Sequence, residues 1–161
     1  MINKQTDNFI VCVLPEYNLR INYPSAWHIV DNKAILYNNI VVGFGIPKED
    51  PTDLSFDSLC IYVLDMPANY NISLNEFIDL NIGDLKDTRP GFNLIESTPT
   101  TLGGVPAYQI VFTEIGQKKL GISATKGNKV YMVSYGTRPE RYLKYISTVE
   151  QMIVSFEFLS S

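Results

Sequence analysis

The stretch STPTTLGGVPAYQIVFT, residues 97–113, contains the pattern that decides the fold. A polar run stops at the glycine pair 103–104, and an apolar and aromatic run continues from Val105. Two glycines between two strand-like runs are typical of a tight β-hairpin, since glycine adopts the positive φ angles that such turns need. After the turn, apolar side chains fall on both faces of the strand. This predicts an inner strand of a sheet that is covered on both sides.

Other strand patterns continue outward from this hairpin. On its C-terminal side, two strand-like runs joined by Gly127 and Asn128 predict another hairpin. On its N-terminal side, an alternating pattern stops at Pro24, which has no N–H for a strand ladder, and we expect Trp27 to anchor the following corner in the core. Further strands are expected at AILY (34–37), IVVGFGI (40–46), LCIYVLD (59–65) and FEFL (156–159). Short connections require neighbouring strands to run antiparallel.

Two segments have the periodicity of amphipathic helices. The first begins at Ser73, which forms a capping box with Glu76 three residues later. We expect the second to begin at Thr137, with Glu140 completing its capping box. The apolar stripe of the first helix is Leu74, Phe77, Ile78, Ile82 and Leu85, and that of the second is Tyr142, Ile146, Val149, Ile153 and Phe156. Strands and helices together predict an α+β fold in which both helices pack on one mainly antiparallel sheet.

Composition supports a single domain, residues 1–161, and excludes several classes of protein. Because 45% of the residues are hydrophobic and 19% charged, the chain has enough apolar surface for one core. Residues 1–80 carry four Lys and Arg against ten Asp and Glu, a net −6, whereas residues 81–161 carry nine against seven, a net +2. A nucleic-acid-binding protein would show a concentrated basic face instead. The interaction partners expected from this balance are proteins or small molecules.

The sequence shows no segment that would cross a membrane, because no apolar stretch approaches the required length of about 20 residues. As it stands, the chain is expected to be soluble and cytoplasmic. A leader preceding Met1 would place the protein outside the cytoplasm.

No catalytic constellation is present, and we predict that the protein is not an enzyme. His28 is the only histidine, and no serine lies in a Gly-x-Ser-x-Gly turn, so we interpret His28 as a structural or surface residue. Cys12 and Cys60 lie in apolar strand-like runs, FIVCV and SLCIYV, and are expected to be buried, inert thiols. A zinc site needs three or four protein ligands, and one histidine with two buried strand cysteines does not suit that requirement.

An acidic loop precedes the strand at 59–65, and it is the candidate site for a metal. Calcium and other hard divalent cations prefer clustered carboxylate oxygens, although the spacing of an EF-hand is missing. The alternative interpretation is a solvated acidic loop. The four candidate ligands are Glu49, Asp50, Asp53 and Asp57.

A basic and aromatic cluster at the start of the second helix is the candidate site for a protein partner. Helix N-termini favour anions, and Arg and Tyr are enriched at the energetic centres of interfaces. The alternative is a solvated helix face. If the cluster binds a partner, alanine at Arg138 and Arg141 should weaken binding of that partner and leave the fold intact. The candidate residues are Arg138, Arg141, Tyr142, Lys144 and Tyr145.

The order of these elements resembles the PsbP family, the extrinsic proteins of photosystem II and their non-photosynthetic relatives. The resemblance extends from about Tyr17 to Phe158. It rests on YNLRINYPSAW, TTLGGVPAYQIVFT, GNKVYMVSYGTRPERYLKY and VEQMIVSFEF. It implies an α/β/α sandwich and a binding role without catalysis. Family sites for metals use histidine and carboxylates that have no residue-by-residue counterparts here, so no site is inherited from the family.

Three functions therefore remain open. The first is a PsbP-related binding or assembly protein that presents a sheet edge and a helix end to a protein partner. The second is a domain that binds a small ligand or a divalent metal. The third is an enzyme, which would require acid–base groups to converge in a pocket.

Overall fold

Strands make up most of the described part of the chain, with two helices between them. The computed structural model describes residues 8–30, 39–53, 57–66 and 71–159. The strand expected at 34–37 lies outside these residues. The elements are β1 (Phe9–Leu14), β2 (Leu19–Pro24), β3 (His28–Val30), β4 (Ile40–Gly45), β5 (Ser58–Asp65), α1 (Leu74–Thr88), β6 (Asn93–Leu102), β7 (Val105–Glu114), β8 (Gln117–Lys126), β9 (Lys129–Thr137), α2 (Tyr142–Ser155) and β10 (Glu157–Phe158).

The hairpin of residues 97–113 is confirmed. Gly103 and Gly104 have φ angles of +58° and +82° and join β6 to β7. A Cβ atom on Gly103 would lie 2.8 Å from the ring of Phe158, so this turn needs glycine for space as well as for its conformation. The polar run before the glycines belongs to β6, which is therefore longer than the apolar pattern alone indicates.

The main sheet contains seven described strands in the order β3-β4-β5-β9-β8-β7-β6. Every neighbouring pair is antiparallel, as expected from the short connections. Strand β7 is an inner strand. Its Ile110 and Phe112 pack with α1, whereas Ala107 and Val111 belong to the larger core on the opposite face. The expectation that both faces of this strand are covered is confirmed.

The predicted central antiparallel sheet is confirmed, but β1, β2 and β10 do not join it and form a second, three-stranded antiparallel sheet. Strand β2 ends at Pro24, which cannot donate to a ladder, and the backbone N–H of Ser25 instead bonds to the carbonyl of Asn8 at 2.8 Å. Trp27 is buried immediately afterwards, as predicted. The chain turns at this corner and enters the main sheet with β3.

Helix α1 begins where the sequence predicts. The Ser73 hydroxyl accepts a hydrogen bond from the backbone N–H of Glu76 at 3.1 Å. The predicted stripe packs into a core cluster with Ile110 and Phe112 of β7. This helix therefore covers one face of the main sheet.

Helix α2 begins at Tyr142, so the predicted start at Thr137 is wrong. Thr137 is the last residue of β9, pairs with Lys118 of β8 and is fully buried. Its hydroxyl donates to the carbonyl of Arg138 at 2.9 Å instead of capping a helix. A 3₁₀ turn, Pro139–Arg141, then leads into the helix. Strand pairing continues for longer than the local capping pattern indicates.

The predicted stripe of α2 does face the core. Val149 and Phe156 are buried in the larger cluster, and Ile146 and Ile153 pack against it. This cluster also contains Leu19 and Ile21 of the small sheet. The two helices therefore lie on opposite faces of the main sheet, which gives the α/β/α sandwich. Neither described helix is long and apolar enough to cross a membrane.

Candidate functional site

The acidic loop and the basic cluster, predicted as separate sites, contact each other. Strand β5 lies beside β9 in the main sheet, with Ser58 paired to Gly136. Asp57 immediately precedes β5, and Arg138 immediately follows β9. This register therefore brings the loop before β5 to the turn after β9. We call the resulting group the ion-pair cluster: Glu49, Asp53, Asp57, Arg138, Arg141, Lys144 and Tyr145.

The inner part of the cluster consists of two aspartates held by two arginines. The side chains of Asp53 and Asp57 are only 3% and 5% exposed, and that of Arg141 is 14% exposed. Arg141 forms ion pairs with both aspartates, and its Nη1 lies 2.8 Å from Asp57 Oδ2. Arg138 Nη2 lies 2.6 Å from Asp53 Oδ1. The hydrogen bonds to Asp57 and Asp53 raise the pKa of Arg141, which therefore stays charged.

The outer part of the cluster surrounds Glu49 at the surface. Lys144 forms an ion pair with the Glu49 carboxylate, and the Tyr145 hydroxyl donates to Glu49 Oε1 at 2.8 Å. These two hydrogen bonds hold the pKa of Glu49 below its ordinary value. Glu49 in turn raises the pKa of Lys144. Burial, followed by the bond to Glu49, raises the pKa of Tyr145.

Asp50 has a different role, because it folds the loop. Its Oδ1 accepts hydrogen bonds from the backbone N–H and the hydroxyl of Thr52, both at 2.9 Å. These bonds lower the pKa of Asp50. Its carbonyl also accepts from the backbone N–H of Asp53 at 2.9 Å, which helps to turn that carboxylate towards the arginines.

The structure places three of the four predicted metal ligands, Glu49, Asp53 and Asp57, against cations, whereas Asp50 bonds to Thr52. Among residues 8–30, 39–53, 57–66 and 71–159, no group of three or more His, Cys, Asp or Glu side chains is placed to hold a metal ion. Calcium binding at Glu49, Asp50, Asp53 and Asp57 stays a prediction. It would require these carboxylates to exchange arginine and lysine partners for the ion.

The predicted partner-binding residues are engaged within the chain to different degrees. Tyr142 is buried, burial raises its pKa to about 12, and its carbonyl accepts a hydrogen bond from Tyr135 at 2.9 Å. It therefore offers a partner little surface. Arg138 and Arg141 precede α2 instead of forming its first turn. Arg138 and Lys144 are the members of the set that keep substantial exposed surface.

The histidine and the two cysteines lie outside the ion-pair cluster. His28 lies on β3 with its ring packed over Gly45, where a Cβ atom would collide with the imidazole. Cys60 is buried in the main sheet, whereas Cys12 is only half-buried in the small sheet, and both are free thiols. Burial raises the pKa of both thiols. These thiols are therefore poor nucleophiles at neutral pH.

The sequence analysis expected a sheet edge without assigning it to a strand, and the structure shows an exposed edge at β1. This strand pairs with β2 along one edge, and no described strand pairs with the other. Three of its apolar side chains, Ile10, Val11 and Val13, are 44%, 54% and 49% exposed. The run FIVCVL identified a strand, but its uncharged composition also indicates a strand whose edge is unprotected.

Comparison with known proteins places this architecture in a family. A family model described as PsbP-like protein matches residues 4–158 and therefore includes β1, which the resemblance starting at Tyr17 left out. No curated protein is similar enough in sequence to count as a relative.

Solved structures share the fold at low sequence identity. Cyanobacterial PsbP (CyanoP) from Synechocystis sp. PCC 6803 is 14% identical with a TM-score of 0.67, over 97% of this chain and 95% of that chain. LpqN, involved in cell envelope biogenesis of Mycobacterium tuberculosis, is 13% identical with a TM-score of 0.63, over 98% and 88%. The Saccharomyces cerevisiae Ran-binding protein Mog1p is 10% identical with a TM-score of 0.61, over 96% and 97%.

At such identities these structures show a common fold and nothing finer. The family model is more specific, since it spans nearly all of the sequence, from residue 4 in front of β1 to Phe158 at the end of β10. The chain belongs to the family of PsbP-like proteins.

Proposed function

We propose that this chain is a non-catalytic binding or assembly protein, and that its protein partner adds an extended strand to the free edge of β1. The observation that carries the proposal is that, within the described residues, no strand pairs with this edge and its own sequence carries no protecting residue. Strand β1 has six residues, none of them charged and none of them proline or glycine. An unpaired edge of this kind presents backbone N–H and C=O groups to any extended chain that reaches it.

The other described edges are short or protected. Strands β3 and β10 have three and two residues. Strand β6 is long, but it contains Pro99, carries Glu96 and has an irregular register between Leu94 and Glu96. Proline, charge and bulges are the devices by which proteins keep edge strands from pairing. Strand β6 therefore carries protective features that the residues of β1 lack.

The side chains of β1 would give such a partner limited but definite selectivity. Val11 and Val13 lie opposite Asn22 and Arg20 of β2, and Arg20 forms an ion pair with Glu157 of β10. This face of the small sheet thus combines the apolar side chains of β1 with the Arg20–Glu157 ion pair, whose charges neutralise each other. An added strand with β-branched or aromatic residues facing Val11 and Val13 fits this surface.

Fold-level analogy supports a binding role in general. Mog1p, which shares the fold, is described as Ran-binding. This supports a protein partner for the present chain without naming one.

Site-specific cross-linking followed by affinity measurement tests the proposal. A photoreactive amino acid replaces Val11 in the full chain, the protein is expressed in cells that make it natively, and the cross-linked partner segment is sequenced. A synthetic peptide of that segment should slow amide hydrogen exchange along β1. Val11→Lys should weaken peptide binding by about tenfold, because lysine replaces a buried apolar contact and opposes edge pairing.

The matched control is Ile115→Lys, since Ile115 is 76% exposed in the turn between β7 and β8 of the main sheet, outside the sheet that contains β1. It should leave the affinity unchanged. Equal losses in the two variants, or a cross-link between two copies of this chain in place of a partner, would overturn strand addition by a partner.

A further inference from the structure

An apolar groove runs beside α1 on the main sheet. Helix α1 packs on β7 and β8, and the groove lies between this helix and the neighbouring strands β9 and β5. Its volume is about 550 Å³, within the range of sites that hold a ligand or several anchoring side chains. Leu64 and Val130, which pair with each other, and Met132 form the floor. Phe77 and Leu80 form the helical wall.

The groove lining is suited to a flexible apolar partner. Leu80 is 59% exposed although it lies next to this apolar floor. Met66 and Met132 line the groove as well, and methionine adapts its shape to different apolar surfaces. An apolar side chain that binds beside Leu80 would cover part of this exposed surface.

The rim of the groove is acidic. Asp65 lines it and is paired with Lys129 at 2.5 Å, which neutralises part of its charge. Asp84 also lines it and forms no ion pair with any cation in the described ranges. Asp84 and Asp87 both lie near the C-terminal end of α1, where the helix dipole is negative and anions are disfavoured, and the single lysine of the last turn, Lys86, offsets only part of their charge. A cation placed at this rim would relieve that repulsion.

We propose that the groove binds an amphipathic, basic segment of a partner protein, with apolar side chains on the floor and a lysine or arginine at Asp84. The charge of the rim decides between possible occupants. A fatty acid or an acidic peptide would bring a negative charge to Asp84 and be repelled, whereas a basic segment gains a charge pair there. The proposal rests on the proposed protein-binding function, but it concerns a surface separate from β1.

Methyl NMR of the methionines gives a readout located at the groove. The probe is a synthetic helix-forming peptide with leucines at i, i+3, i+4 and i+7 and lysines on its other face. Binding should shift the methyl signals of Met66 and Met132, which line the groove. It should leave unchanged the signal of Met152, which is buried in the other core. A matched peptide with glutamate in place of lysine, and laurate, are tested in parallel.

Variants separate the apolar and the electrostatic parts of the proposal. Leu80→Asn should weaken the basic peptide by about tenfold, because an apolar contact is lost. Asp84→Asn should weaken it about two- to fivefold, as expected for one exposed charge pair. The controls are Leu143→Asn, at a leucine of α2 that is 78% exposed, and Asp87→Asn, on the same helix but outside the lining. Neither control should change the affinity by a comparable amount.

Three results would overturn the proposal: unchanged Met66 and Met132 signals with the basic peptide, equal or tighter binding of the acidic peptide or laurate, or an equal loss in Leu143→Asn. Val11→Lys should leave groove binding intact. If the basic peptide does not bind, only the proposed groove site is contradicted. Strand addition at β1 is tested separately by the cross-linking experiment.

Discussion

Arg141 Nη1 donates a hydrogen bond to Asp57 Oδ2 at 2.8 Å, although the two residues are 84 positions apart in the chain. The contact joins the loop before β5 to the turn before α2. Asp57 is almost fully buried, and a buried carboxylate is unfavourable unless a cation and hydrogen bonds compensate it. Arg141 therefore acts first as part of the fold. Substitution of Arg141 is therefore expected to lower the stability of the fold, not only to weaken a partner.

Arg141→Met should destabilise the protein more than Arg138→Met. Arg141 binds both buried aspartates, whereas the Arg138 side chain binds Asp53 from a more exposed position. Removing Arg141 leaves the second carboxylate without its side-chain cation, and removal of one partner of a buried pair is strongly destabilising. Thermal unfolding at neutral pH of both variants and the parent measures the difference. Equal midpoints for Arg141→Met and the parent would contradict a structural role.

The separation of these residues shows where sequence reasoning ends. Hairpins at Gly103 and Gly127 and the start of α1 at Ser73 follow from residues within a few positions of each other, and the sequence predicts them correctly. The ion-pair cluster depends on β5 lying beside β9, a pairing that crosses α1 and three strands in the chain order. No local pattern contains that register. The acidic and basic sets were therefore recognised separately and their contact was missed.

The two helix starts should respond differently to alanine. Ser73→Ala removes an observed N-cap hydrogen bond and should destabilise the protein by about 1 kcal/mol. Glu140→Ala, which removes the partner that a capping box at Thr137 would use, should change stability little, because Thr137 ends a strand. Urea unfolding of the two variants gives the comparison. A loss for Glu140→Ala as large as that for Ser73→Ala would restore the capping box that the sequence pattern indicated.

Replacing glycine by alanine should have opposite effects on stability at Gly83, where glycine is not needed, and at Gly103, where it is. Gly83 lies within α1, and an added Cβ would meet nothing within 4 Å, so Gly83→Ala should stabilise the protein by about 0.5–1 kcal/mol. Gly103→Ala places a Cβ at positive φ and 2.8 Å from Phe158, so it should destabilise by more than about 1 kcal/mol. Denaturant unfolding measures both. Changes of the same sign would show that the turn or the helix is wrongly described.

Calcium titration distinguishes the two interpretations of the acidic loop. Because Asp53 and Asp57 already have arginine partners and Glu49 has Lys144, we expect millimolar Ca²⁺ to produce no saturable change in the amide NMR signals of residues 49–53. Mg²⁺ at the same ionic strength is the control for screening. A saturable shift with Ca²⁺ alone would establish the metal site that the sequence suggests.

The outer part of the ion-pair cluster should make stability depend on pH in a defined direction. The pKa of Glu49 is lower in the folded state than its ordinary value of 4.5, so its contribution is complete above pH 4.5 and is lost as the pH falls through the folded-state pKa. The pKa of Lys144 is raised above 10.5, so its contribution is complete below pH 10.5 and is lost as the pH rises through its folded-state value.

Glu49→Gln should therefore be less stable than the parent at pH 7, and the difference should shrink at pH 3, because the contribution of the carboxylate charge declines as the pH falls below 4.5 towards the lowered folded-state pKa. Because the pair is exposed, the difference should also be small and should shrink in high salt. Unfolding at both pH values, with and without added salt, measures these effects. Asp65→Asn is a matched control, since Asp65 forms another exposed pair with a lysine outside the cluster. A Glu49→Gln difference that stays constant from pH 7 to pH 3 would show that the carboxylate charge does not stabilise the loop against α2.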